Sequence, residues 1–239
     1  MKKIIALFVI TFSILSFSSC KEDKDTTPTA NTYTNISLKD AQKYVGLDYN
    51  EAKVGLEAKG FAFDQTESSP DLSYQVFTDT DNIVSYVLDA NPETNIVYKV
   101  TVSKRSETAN NSISNYDFCQ SECLAATNNN TAFSYAGSIN SFDQEYTSQS
   151  EFQNVYNSLK PMLGFCAEGW QSTEKAFVIY FMKINAEIVD VEITESGTTS
   201  STTTYDNYYM FNVSYLDYNH KPITIENKSL STTLEEYIK

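Results

Sequence analysis

The feature that most constrains this chain is a repeat of two. Ile96, Tyr98, Val100 and Val102 alternate with Lys99, Thr101 and Ser103. Val189, Val191 and Ile193 alternate with Asp190, Glu192 and Thr194, and Tyr209, Phe211, Val213 and Tyr215 share one parity. Side chains on a strand point to opposite faces in turn, so each run has one apolar side and one polar side. Runs of this kind in both halves predict an antiparallel sheet with one wet face. Asn82–Asp89 adds Val84, Tyr86 and Leu88 on one face, and Ser73–Thr78 reads as a short strand. Ala176–Ile184 is apolar except for Lys183 and predicts a central strand covered on both sides. Asn91-Pro92-Glu93-Thr94-Asn95 is a turn, because Pro fixes φ and Asn tolerates left-handed backbone.

Helical spacing interrupts the strands. Ser37-Leu38-Lys39-Asp40 is a capping-box variant, followed by Leu38, Ala41 and Val45 on one face. A second helix starts at Asp48, buries Tyr49, Ala52 and Leu56, and ends at Gly60. Ser114–Thr127 reads as a helix, and Thr131–Ile139 as a strand around Phe133 and Tyr135. Ser148–Lys160 has Ser148 and Glu151 in capping-box spacing, an apolar face of Phe152, Val155, Tyr156 and Leu159, and Pro161 as its stop. Ser196–Thr204 reads as a loop. The class is therefore α+β: two modules, each with one or two helices packed on an antiparallel β-meander. The first spans 36–105. The second spans 106–239, with an extra helical and strand segment at 112–146, and the polar stretch Ser106–Asn111 marks the boundary.

The N-terminus carries an address. Lys2 and Lys3 precede an apolar run, Ile4–Ile14, and Leu15-Ser16-Phe17-Ser18-Ser19-Cys20 follows. The run is too short to span a membrane as a mature helix. Small residues before a cysteine resemble a bacterial lipobox, with Phe17 where Leu, Val or Ile is commoner. The resemblance implies a signal peptide at 1–19 and a lipidated Cys20. Secretion with cleavage near Ser18, or an uncleaved anchor, are the other readings. Lys21-Glu22-Asp23 resembles the surface-export signal of Bacteroidota lipoproteins, and Asp25-Thr26-Thr27 resembles an O-glycosylation site of that phylum. These imply an outer-membrane protein facing the exterior, tethered by residues 20–35, whose charges, threonines and Pro28 suit a flexible linker.

Two further resemblances touch the body of the chain. Val45-Gly46-Leu47-Asp48-Tyr49-Asn50-Glu51-Ala52, leading through Leu56 to Lys59-Gly60-Phe61, resembles the helical start of a PASTA domain over residues 44–103. The glycines of that family's final hairpin are missing, so no ligand is carried over. Tandem helix-plus-strand modules in an acidic secreted chain are similar in architecture to β-lactamase-inhibitor-like proteins, which implies an enzyme inhibitor as an alternative function.

Charge and composition narrow the chemistry. Seventeen Lys and Arg against 31 Asp and Glu give a net charge of −14, which disfavours nucleic acid as a partner. The one histidine, His220, sits in the turn Tyr218-Asn219-His220-Lys221-Pro222 and leaves no histidine-based triad or His-rich metal centre. No phosphate loop, dinucleotide fingerprint or Gly-x-Ser-x-Gly occurs, and no cofactor is expected. Asp79-Thr80-Asp81-Asn82 reads as a turn before it reads as half a calcium loop. A hydrolase, the third reading, would need a pair of carboxylates; no motif places two together, and Asp190 and Glu192, which share a strand face, read as a hydrated sheet face.

Cys119, Cys123 and Cys166 remain after lipidation. An oxidising compartment predicts a disulfide from Cys166 to Cys119 or Cys123, closing a loop of about 40 residues or more and worth about 4 kcal/mol. The alternative is a three-cysteine metal site completed by His220. Seventeen Tyr, 14 Phe and one Trp suggest an aromatic face, with Trp170, Tyr205, Tyr208 and Tyr209 as candidate ligand contacts. The expected function is a non-catalytic envelope binding protein for a glycan, a peptide or an envelope protein.

Overall fold

The structure is a computed structural model, and it describes residues 35–222 except 129, 131 and 194–198. In the strand segments 186–193 and 199–205 the description is of the backbone. The signal peptide, Cys20, Lys21-Glu22-Asp23, Asp25-Thr26-Thr27 and the tether lie outside the described residues.

The class is α+β. The elements run α1 (Leu38–Gln42), α2 (Tyr49–Glu57), β1 (Ala62–Asp64), β2 (Gln75–Thr78), β3 (Val84–Ala90), β4 (Val97–Ser106) and α3 (Ala109–Asn128). They continue with β5 (Ser134–Asn140), β6 (Glu145–Tyr146), α4 (Gln149–Leu159), β7 (Phe165–Gln171), β8 (Lys175–Ile193) and β9 (Thr199–Asp217). The strands form one antiparallel nine-stranded sheet, ordered β1-β2-β3-β4-β9-β8-β7-β5-β6. Each half contributes helices and a meander, and the two meanders meet where β4 pairs with β9.

The register places one row of side chains on the helix side of every strand. It reads Phe63, Phe77, Tyr86, Val102, Val213, Ile179, Glu168, Ser138 and Tyr146. The buried residues of all four helices join that face in a common core, Leu38, Ala52, Leu56, Tyr116, Cys119 and Phe152 among them. A second cluster lies on the opposite face, around Tyr98, Ala167, Ala176, Val178 and Leu216, and contains no residue of α1–α4.

Local signals act as the sequence suggests in most places. Ser37 and Asp40 form a reciprocal capping box, and Asp48 caps α2 by accepting from the Asn50 amide. Gly60, at φ +89°, ends α2 in the left-handed region that glycine adopts without strain. α3 also fastens the N-terminal segment: the Asn115 side chain accepts from the Ile36 amide and donates to the Ile36 carbonyl, at 3.2 and 2.8 Å.

Three expectations are corrected. Ser148 makes no side-chain cap on α4, because its hydroxyl pairs with that of Ser150 at 3.0 Å. Thr199–Thr204 is not a loop but the first part of β9, paired with Ile188–Ile193. Cys119, Cys123 and Cys166 are free, buried thiols rather than a disulfide. The Cys166 Sγ turns to the Tyr116 hydroxyl at 3.5 Å, and the Cys123 thiol is hydrogen-bonded with that of Cys119.

Candidate functional site

Two places concentrate polar chemistry, one inside the core and one on the helix-free sheet face. The inner one begins with the parity of β7. Cys166, Glu168 and Trp170 point to the helices, so a carboxylic acid takes one place in the apolar row. Opposite it, Tyr116 and Gln120 stand one turn apart on α3. Glu168 Oε1 accepts from the Tyr116 hydroxyl at 2.6 Å and from the Gln120 amide nitrogen. Oε2 has no hydrogen-bond partner.

Glu168 has no accessible surface. Burial is the largest influence on it and raises its pKa from 4.5 to about 7, against the lowering pull of the two donors; Asp117 adds to the rise. Asp117 itself is engaged elsewhere, by Lys160 Nζ at 2.9 Å and the Tyr156 hydroxyl at 2.7 Å. Burial also pushes Tyr116, Cys123 and Cys166 well up, so the thiols are held as SH rather than as nucleophilic thiolates. Glu168 can gain or lose a proton near neutrality, yet it is sealed from any substrate that stays in solvent.

The outer place is a stripe along β4 and β9 on the face without helices. Thr101 and Ser214 hydroxyls pair at 2.8 Å, and Ser103 Oγ donates to Asn212 Oδ1 at 2.6 Å. At one end Lys99 bridges to Asp89 at 3.0 Å. Burial raises the Asp89 pKa while Lys99 opposes the rise. At the other end Arg105 pairs with Asp206 at 2.9 Å and Glu107 at 3.6 Å, and its guanidinium lies 4.2 Å from the centre of the Tyr208 ring. Half-buried Tyr180 and Met182 on β8 and Met210 on β9 flank the stripe. Next to Arg105 the sheet narrows. β7 last pairs with β8 at Met182 and β4 last pairs with β9 at Tyr209. From Ile184 opposite Tyr208 to Ile193 opposite Thr199, β8 and β9 continue as a two-stranded ladder among the described residues.

The structure does not bring the four expected aromatic contacts together. Trp170 is 1% exposed, stacked on Phe177 at 5.4 Å and edge-on to Tyr135 at 5.8 Å, so it is a core residue and not part of an exposed platform. Tyr208 lies on the helix-free face under Arg105, whereas Tyr209, one residue on, pairs with Ser106 and Lys183 on the helix side. Tyr205 stands in β9 opposite Glu187, and its side chain lies outside the description. His220 is in a short 3-10 turn, its carbonyl accepting from Asn91 Nδ2 at 3.1 Å, while the three cysteines lie in the core. Asp79 closes the β2–β3 turn, accepting from the Ile83 amide at 2.7 Å, with Asn82 at φ +54°. Among the described residues no group of three or more His, Cys, Asp or Glu could hold a metal.

Glu168, Arg105 and Tyr180 were not among the expected site residues. Glu168 had a signal: in Cys166-Ala167-Glu168-Gly169-Trp170 it shares parity with two residues that favour burial. Arg105 had none, because its partner Asp206 is 101 residues away. No family model, curated protein or solved structure matches the chain.

Proposed function

We propose that the chain is a lipid-anchored protein of the outer membrane, facing outward, that binds a glycan, a peptide or another envelope protein without turning it over. The observation that carries the reading is the stripe along β4 and β9, where partly exposed Thr101, Arg105, Tyr180 and Tyr208 lie beside the buried Ser103–Asn212 pair and Ser214 on the sheet face that none of α1–α4 covers. Tyrosine supplies contact area with a polar end, and the Thr101 hydroxyl and Arg105 guanidinium supply directional bonds, which together suit sugars and extended peptides. A rigid sheet under the stripe keeps its groups in place before a ligand arrives, which lowers the cost of binding. Cys20 would hold the molecule through acyl chains, each buried methylene contributing about 0.8 kcal/mol, with Lys21-Glu22-Asp23 directing it outward.

The test is a glycan and peptide array probed with the full-length protein in detergent, alongside Thr101→Val/Tyr208→Ala. Ligands lost by the double variant, with an unchanged circular dichroism spectrum, support the reading. Ligands retained at full affinity place binding elsewhere. The second reading, an enzyme inhibitor, uses the same face on an acidic chain. It is favoured if the captured partner is an enzyme whose turnover falls on binding.

A further inference from the structure

Three buried polar atoms without a hydrogen-bond partner meet in one place. They are Glu168 Oε2, Ser138 Oγ and the Tyr135 hydroxyl. Ser138 stands directly opposite Glu168 in the β5–β7 register, on the same face, so their Cβ atoms are about 5 Å apart. Tyr135 stands opposite Trp170, the next residue of β7 on that face, with its ring edge-on to the indole. Glu168 is the leading charge acting on the Tyr135 hydroxyl, and the Ser138 hydroxyl lies near enough to act on it as a hydrogen-bonding neighbour, although the pair does not reach full hydrogen-bond geometry.

The backbone is shaped for this meeting. β5 has a bulge between Tyr135 and Gly137, and Gly137 sits at φ +138°, where only glycine is at ease. The bulge adds a residue between Tyr135 and Ser138 while both stay on the helix side. Bulges commonly re-aim side chains next to sites.

A buried polar group with no full hydrogen bond is costly, and three on neighbouring positions of one sheet face call for a shared partner. The donors and acceptors complement one guest. Glu168 Oε1 is already filled by Tyr116 and Gln120. The Ser138 hydroxyl can donate to a water or accept from it, the Tyr135 hydroxyl can donate to it, and the water can accept from Oε2 when Glu168 is protonated or donate to it when Glu168 is ionised. Buried waters make about three such bonds. A calcium ion would want six or more oxygens, and the three atoms here are too few.

We propose that Glu168, Ser138 and Tyr135 form a binding site for one internal water molecule, held between β5, β7 and α3. The water completes the hydrogen bonding of the buried acid and ties the β5 bulge to β7.

The experiment is a crystal structure of the full-length protein at about 1.5 Å or better, paired with oxygen-17 relaxation dispersion, which counts slowly exchanging waters. The expected result is one water oxygen about 2.6–3.2 Å from all three atoms, and one long-lived water fewer in Ser138→Val, whose added methyl fills the guest's place. A direct hydrogen bond from Ser138 or Tyr135 to Glu168 Oε2, with no density between the side chains, would overturn the proposal. So would oxygen distances of about 2.0–2.5 Å, which mark a metal ion, or an unchanged water count in the variant. The wild-type structure decides the matter even if Ser138→Val does not fold.

Discussion

Replacing Glu168 with Gln should make the protein more stable at alkaline pH and change the shape of its pH profile. The amide oxygen of Gln can still accept from Tyr116 and Gln120, so the two bonds to Oε1 survive. What the variant loses is the ability to ionise. In the folded chain the Glu168 pKa is about 7, against 4.5 for the ordinary group. The folded state therefore holds this proton more tightly than the unfolded state does. The stabilising contribution is fully present below about pH 4.5 and is lost as pH rises through about 7. The full loss corresponds to about 3 kcal/mol. Glu168 has no accessible surface, so solvent does not screen this effect. Urea unfolding from pH 4.5 to 8.5 measures it. The wild type minus variant difference should shift by about 2–3 kcal/mol across that range and flatten above pH 8. The difference removes groups common to both proteins, including Asp89, whose pKa is also raised by burial. A difference that stays flat over the range would show that Glu168 ionises in the fold without penalty, and the account of a sealed neutral acid would fail.

Thiol titration is a direct check on the cysteines: Cys119, Cys123 and Cys166 should stay unreactive in native protein and all react on unfolding, whereas a disulfide would leave one reactive thiol. Trp170→Ala should cost about 3–5 kcal/mol in denaturant unfolding, because the indole is packed on Phe177 and Tyr135; a loss below about 1 kcal/mol would contradict its place in the core. Arg105→Ala removes two ion pairs and the contact with Tyr208. Its stability cost should be about 1 kcal/mol or less, since the partners are partly exposed, with faster amide exchange confined to the β8–β9 ladder beyond Tyr209. Cys20→Ser should move the protein from the membrane fraction to the soluble one; unchanged fractionation would remove the lipid anchor from the proposed function.

Much of the fold was legible because its signals are local. The box of Ser37 and Asp40, the cap at Asp48 and the glycine at 60 each act within a few residues, and the structure shows them as read. Alternation in β4 and β9 placed Val100, Val102, Phe211 and Val213 on one side, where they are buried against the helices. Thr199–Thr204 misled because a run of Ser and Thr suits a loop as well as a strand, and its pairing with β8 is what makes it a strand. The three cysteines misled because compartment and spacing favour a bond, whereas bonding depends on the approach of two sulfurs. Trp170 misled because an aromatic beside glycine in a turn-like stretch can face either way.

The chain alone determined its helices, its α+β class and the parity of the strands that alternate strongly, β4 and β9 among them, since capping, turn chemistry and side-chain alternation are properties of neighbours along the backbone. Strand order was decided elsewhere. That β4 lies against β9, that Arg105 meets Asp206, and that Glu168 ends up beneath Tyr116 and Gln120 all depend on contacts separated by 48 residues or more. Such contacts follow from which apolar faces can be buried together, and that is a property of the whole packed core rather than of any segment.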